Sequence, residues 1–235
     1  MKKWIISLCA LLCCGMNALA QWDDYINSES GSFTDDRDSQ EYDWVKIGKQ
    51  VWMADNLNIG RIIYVIDGKI TDCSIEKLCY ENKEENCRIY GGLYTNLAID
   101  FYTPDEGGQS ICPEGWHLPA ESEWQVLVDY LGGQKVAGGA MKETGIYHWK
   151  KSNKGATNSN GFTALPGGNG GYYYDDIIYN NLGKECCFWS STGSYSLIAA
   201  ITIDFRTICL LKNKTGIARD SSFGRSAHSV RCVKD

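Results

Sequence analysis

The sequence predicts an α+β domain of small twisted antiparallel sheets, two helices and one long loop region, braced by disulfides. Three observations lead there. Residues 111–124 set a cysteine, a tryptophan of the kind usually buried and a proline directly ahead of a helix signal. The run Ser229 to Val233 reads as a last strand and carries Cys232, so the end of the chain is expected to be stapled back to its middle. The 14 tyrosines and 25 glycines fit a loop-rich exported domain containing β-structure better than a helical cytosolic enzyme.

Lys2 and Lys3 open the chain with a basic segment, Trp4 to Leu12 is an apolar run, and Ala18-Leu19-Ala20 is a small-x-small cleavage signal. Residues 1–20 therefore read as a secretory signal peptide cut before Gln21, and the protein is expected to be secreted or at the cell surface. The apolar run is too short for a spanning helix. Cys13 and Cys14 raise a lipid anchor, the one route by which a membrane would become a partner, but Leu12 and Cys13 precede them where a small residue is wanted. Residues 21–42 are rich in Asp, Ser and Glu without periodicity, and are expected to form an acidic, solvated leader. A single domain then fills residues 43–235, long enough for one ample core. The net charge of −6, with no basic run, excludes nucleic acid as a natural partner.

Trp44 to Ile47 and Gln50 to Met53 flank Gly48-Lys49, the format of a two-residue hairpin. Arg61 to Ile70, with Asp67-Gly68 near its end, reads as a short strand and turn. Leu93, Leu97 and Phe101 recur at helical spacing and predict a first short helix over 92–101. The second helix starts near Pro119, carries Glu121 and Glu123 at the positive end of its dipole, buries Trp124, Leu127, Val128 and Leu131, and stops at Gly132-Gly133. Residues 138–183 are crowded with Gly, Asn, Ser and Tyr, too long a stretch for a passive connection. Strands are expected around Cys187 to Ser190, Ala199 to Phe205, Ile208 to Leu211 and Ser229 to Val233.

Outside the signal peptide the cysteines are Cys73, Cys79, Cys87, Cys112, Cys186, Cys187, Cys209 and Cys232, an even set that in an exported chain means disulfides before metal ligands. The spacing of Cys79 and Cys87 predicts a small local disulfide loop. Either Cys186 or Cys187 is expected to bond Cys209, with Cys73 open to the other.

The residues carry a resemblance. Val45 to Asn58, Cys79-Tyr80-Glu81-Asn82 to Cys87, Tyr90 to Thr95, Cys112 to Pro119 with Glu123-Trp124, Gly161 to Gly168, Phe188 to Thr192 and Ser229 to Asp235 together resemble the Fibrobacter succinogenes major paralogous domain family, in order across 43–235. The resemblance implies an exported domain with variable loops, no assigned general activity, and a C-type-lectin-like fold distantly similar to formylglycine-generating and sulfatase-modifying domains. In that fold a long disulfide ties a cysteine ahead of the second helix to the last strand, and Cys112 and Cys232 occupy those places. Closing so long a loop contributes about 5 kcal/mol, less any strain.

Site chemistry is sparse. His117, His148 and His228 show no metal-ligand spacing, and His117 is expected to make a hydrogen bond at the helix entrance. Gly-x-Ser-x-Gly is absent, and Gly167 to Gly171 lack the lysine and following helix of a phosphate loop. The enzyme relatives use paired cysteines, but Cys186 and Cys187 are adjacent and would face opposite sides of a strand. The lectin tripeptides Glu-Pro-Asn, Gln-Pro-Asp and Trp-Asn-Asp are missing, so no calcium, other metal or cofactor is expected. Tyr172-Tyr173-Tyr174-Asp175-Asp176 with Tyr147 and Trp149 form the candidate binding surface, since rings pack on sugars or partner side chains while acids accept hydrogen bonds. The function expected is a non-catalytic binding module for a polysaccharide or a surface protein. The rivals are a sulfatase-modifying-type oxidase and a purely structural envelope protein.

Overall fold

The computed structural model describes residues 29–63, 75–101, 110–173, 176–196, 202–222 and 226–235. The segment read as a signal peptide, Asp67-Gly68, Cys73, Tyr174 and Asp175 lie outside them. The first sheet has the order β1-β2-β3-β14-β7, from Ser30–Asp35 (β1), Gln40–Ile47 (β2), Gln50–Met53 (β3), Trp116–His117 (β7) and Val233–Lys234 (β14). Arg61–Ile62 (β4) and Glu76–Lys77 (β5) form a separate parallel pair. The largest sheet joins Leu93–Thr95 (β6), Asn169–Tyr173 (β8), Asp176–Asn180 (β9), Glu185–Ser196 (β10), Thr202–Leu211 (β11), Ile217–Ser222 (β12) and Ser226–Ser229 (β13). Its pairings are antiparallel except that β10 runs parallel to β13.

Among the described residues four short helices accompany the sheets, two more than expected: Glu84–Tyr90 (α1), Asn96–Phe101 (α2), Glu121–Tyr130 (α3) and Ala137–Met141 (α4). The predicted Gly48-Lys49 hairpin forms as read. Ile47 pairs with Gln50, and Gly48 takes the left-handed conformation that the tight turn demands. Helix α3 also forms where its signals place it. The Thr192 hydroxyl accepts the Glu121 N–H and the Glu123 carboxylate accepts the Ala120 N–H, so two N–H groups left open by the helix are satisfied.

Several expectations need correction. The leader does not extend to residue 42. Ser30–Asp35 pairs with Gln40–Asp43 and onward to Val45, and Tyr42 is core. The polar composition misled because only alternate residues of β1 turn inward, and because Asp35 is buried as a carboxylate matched by Arg37. The first helix starts later than read, since Leu93 belongs to β6 and the exposed Leu97 faces away from the core. The long loop region is not wholly irregular, for residues 169–180 close as a hairpin. The expected last strand is split: β13 ends at Ser229 in the large sheet and β14 begins at Val233 in the small one, with residues 230–232 crossing between.

That crossing organises the interior. The backbone carbonyls of Val230 and Cys232 accept the Leu57 and Met53 N–H groups. Val230 and Cys232 join a core with Tyr42, Met53, Trp116 and Trp189, while Val233 joins a second with Trp52, Trp124, Phe162 and Phe188. A third, smaller cluster of Leu78, Tyr80, Leu93 and Ala227 lies under the 169–180 hairpin.

Candidate functional site

The residues of the candidate binding surface separate into two groups. Trp149 is fully buried; its indole N–H donates to the Ala164 carbonyl and its ring lies 5.3 Å from the Lys142 ammonium. Trp149 is therefore removed from the surface, a correction to its reading as a contact. Tyr172 is half-buried, and with Ile177 and Tyr179 packs on the cluster under the hairpin. Tyr173 is 62% exposed and pairs across the hairpin with the exposed Asp176; Ile178 is 42% exposed. Tyr147 is 89% exposed beside the exposed Ile146, with its ring edge-on to His148 at 4.6 Å. The surface that remains consists of Tyr173, Asp176 and Ile178, with Tyr147 on a separate loop.

The hairpin is held from below. Tyr179 donates its hydroxyl to Asn82 Oδ1 at 2.8 Å and its ring lies 5.2 Å from that of Tyr80. Asn82 and Tyr80 belong to the loop closed by the Cys79–Cys87 disulfide, so that small loop, predicted from spacing, is the brace of the exposed hairpin. Gly170 permits the approach: a side chain there would press on the Tyr179 ring.

The cysteines settle the thiol chemistry. Cys187 bonds Cys209 across β10 and β11, and Cys112 bonds Cys232. Cys186 points to the other face of β10, is fully buried, and burial pushes its thiol up to about 12. A thiol so placed is protonated and closed to solvent, so the strand offers no reactive pair. Glu185 Oε1 lies 3.1 Å from Cys187 Sγ, but the disulfide removes both sulfurs of that group as thiolate ligands.

Sequence reasoning missed the residue on which the quoted motifs converge. Arg231 is 1% exposed. Its guanidinium donates to Asn56 Oδ1 and to the Phe162 carbonyl, and lies 4.4 Å from the Phe162 ring and 5.2 Å from that of Phe188. Burial pulls its pKa down to about 10, against the opposing charge of Asp55. Asn56, Phe162, Phe188 and Arg231 come from four separate motifs of the sequence, and they meet as packing. Lys142 is likewise buried, its ammonium donating to the carbonyls of Lys154, Leu211 and Lys214; with burial drawing its pKa down to about 8, it remains a clamp between the loop at Lys154 and the turn that follows β11.

The histidines divide. His117 bridges Glu123 at 2.8 Å and Asp235 at 2.6 Å, at the helix entrance as expected. Burial lowers its pKa, but the hydrogen bonds to Asp235 and Glu123 outweigh that and the net shift is upward. Its contribution to stability is thus complete below about pH 6.5 and fades as pH rises through the folded value. His228 behaves oppositely. It is buried beside Trp189 with Nε2 2.7 Å from Ser222 Oγ, and burial, opposed only by Asp220, lowers its pKa to about 4. Its contribution is present above about pH 6.5 and is lost as pH falls towards about 4, which amounts to about 3 kcal/mol. Urea unfolding at pH 7 and pH 4.5 is expected to show a smaller acid loss for His228→Gln than for wild type. Equal losses would remove His228 as the cause.

Among the described residues no helix is long and apolar enough to cross a membrane. The family model described as the Fibrobacter succinogenes major domain matches residues 45–234. No curated protein and no solved structure matches the chain.

Proposed function

From its membership of the Fibrobacter succinogenes major domain family, to which this chain belongs, we propose that the protein is an exported binding module without catalytic chemistry of its own. Its ligand is a polysaccharide or a surface protein, met by the outer face of the 169–180 hairpin and by Tyr147. The fold is read as C-type-lectin-like. In support, the N-terminal strands and the last strand share one sheet, and Cys112, ahead of α3, is bonded to Cys232 beside β14.

The observation that carries the functional reading is the exposure of Tyr147, and of Tyr173 and Ile178 on a hairpin braced from below by Tyr179. Apolar and aromatic side chains held in place before binding lose little freedom on contact. Against an oxidase of the sulfatase-modifying type stand the bonded Cys187 and the sealed Cys186. Three disulfides among the described residues favour an oxidising location, secreted or at the cell surface.

The test is retention of the exported protein on insoluble polysaccharides and on intact bacterial cells, with and without chelator. Retention unchanged by chelator is expected, because the lectin tripeptides that supply calcium ligands are missing from the sequence. Abolition by chelator would make the Asp175-Asp176 pair the candidate cation ligand and overturn the metal-free reading. Recovery only as a large assembly with the hairpin buried between copies would favour the structural envelope role.

A further inference from the structure

A groove away from the hairpin offers a second surface. In the β1–β2 pairing, Ser30 lies opposite Val45, Ser32 opposite Asp43 and Thr34 opposite Glu41, so these residues share one face. The other face packs the buried Tyr42 and the partly buried Phe33 and Trp44 against the core, and Trp44 also borders the groove. Across from the polar face runs the loop 158–163. Between them lies an open groove of about 760 Å³, lined by Ser30, Ser32, Asp43, Asn158, Ser159 and Asn160 among others. It meets, at Ala54 and Thr163, a smaller depression of about 220 Å³ that adds Glu41, Asp55 and Asn56.

The far wall is built without a ligand. Asn158 and Thr163 exchange two hydrogen bonds, at 3.0 and 2.8 Å. Asn160 accepts the Phe162 N–H and donates to the Ala140 carbonyl, and the Phe162 ring is anchored in the core. The near wall carries carboxylates. Asp55 accepts the Asp43 N–H at 2.7 Å, and burial together with Asp55 and Glu41 holds the Asp43 carboxyl above its ordinary value. The two cations of the lining are engaged elsewhere: Arg88 pairs with Glu84 and Glu85, and Arg231 is buried on Asn56. The groove is thus rich in hydrogen-bond acceptors and short of free cations, with Trp44 and Val45 also in its lining.

We infer that this groove binds a stretch of an uncharged polysaccharide chain, whose hydroxyls donate to Asp43, Asp55 and neighbouring groove oxygens. Hydroxyl to carboxylate bonds are of the stronger, charge-assisted kind. The acids repel anionic polymers. The inference rests on the binding-module reading but not on the hairpin.

Affinity electrophoresis in gels containing dextran, galactomannan or mixed-linkage β-glucan tests it, with polygalacturonate and polylysine as charged controls. The variants are Ser159→Trp, which fills the groove, Asp43→Ala, which removes an acceptor, and Tyr173→Ala on the hairpin; all three positions are exposed. Retardation by at least one neutral polysaccharide is expected, weakened at least about tenfold by each of the first two changes whatever the third does. If Ser159→Trp fails to fold, Asp43→Ala decides. No retardation by any neutral polysaccharide, binding to polylysine alone, or wild-type retardation in Asp43→Ala would overturn the groove. Loss in Tyr173→Ala alone would also overturn it, while leaving the hairpin reading intact.

Discussion

Replacing Cys112 and Cys232 together with alanine will lower the free energy of unfolding by about 2–5 kcal/mol. The bond spans 120 residues, so in the unfolded chain it removes a large share of loop-closure freedom. In the folded chain it costs little to keep, because both sulfurs are buried and Cys232 is already fixed by the hydrogen bond from Met53 to its carbonyl. Peptide mapping under non-reducing conditions will recover the linked pair. Urea unfolding of the double variant measures the loss. A change below about 1 kcal/mol would mean that the crossing between sheets holds without its staple.

The second large effect is at Arg231. Arg231→Ala will cost about 3–5 kcal/mol, since it opens a cavity between Phe162 and Phe188 and strips donors from Asn56 Oδ1 and the Phe162 carbonyl, at about 1–3 kcal/mol for each acceptor left buried and unmatched. Asn56→Ala will be harmful alone, and the double variant will cost less than the sum of the singles by about 1 kcal/mol or more, because the two residues share one interaction. Denaturant midpoints for the four proteins complete the cycle. Strict additivity would show that the guanidinium and the amide do not act together.

The contrast between these two positions marks how far the sequence could be read. Cys112 and Cys232 were legible because a cysteine has few roles in a chain read as exported and the resemblance supplied their places. Helix α3 was legible because its apolar spacing, acidic first turn and terminal glycines all agree. Arg231 was not, since a charged residue in a strand-like run reads as solvent-facing. What buries it is a pair of rings and an amide distant in sequence. Trp149 failed for the mirror reason. It sits in a stretch that looks like surface loop, yet the Ala164 carbonyl and the Lys142 ammonium give its polar edge and its face partners inside. The hairpin at 169–180 was masked by Gly170 and Gly171, which weaken a strand signal, while Gly170 allows Tyr179 to approach. Of the candidate surface, Tyr147, Tyr173 and Asp176 are exposed, and Tyr172 is half-buried against the cluster beneath.

The family motifs therefore account for a scaffold, and the proposed function rests on side chains outside most of them. The most direct measurement is binding by a Tyr147→Ala/Tyr173→Ala variant to whichever insoluble polysaccharide or cell surface retains the wild type, with thermal unfolding recorded on both proteins. The account predicts a melting temperature close to wild type, because both rings project from the fold, and retention on that material reduced at least about tenfold, because exposed aromatic anchors carry a large share of contact energy. A variant that melts normally and is retained as well as wild type would contradict it, and would make both rings bystanders on a surface that binds elsewhere.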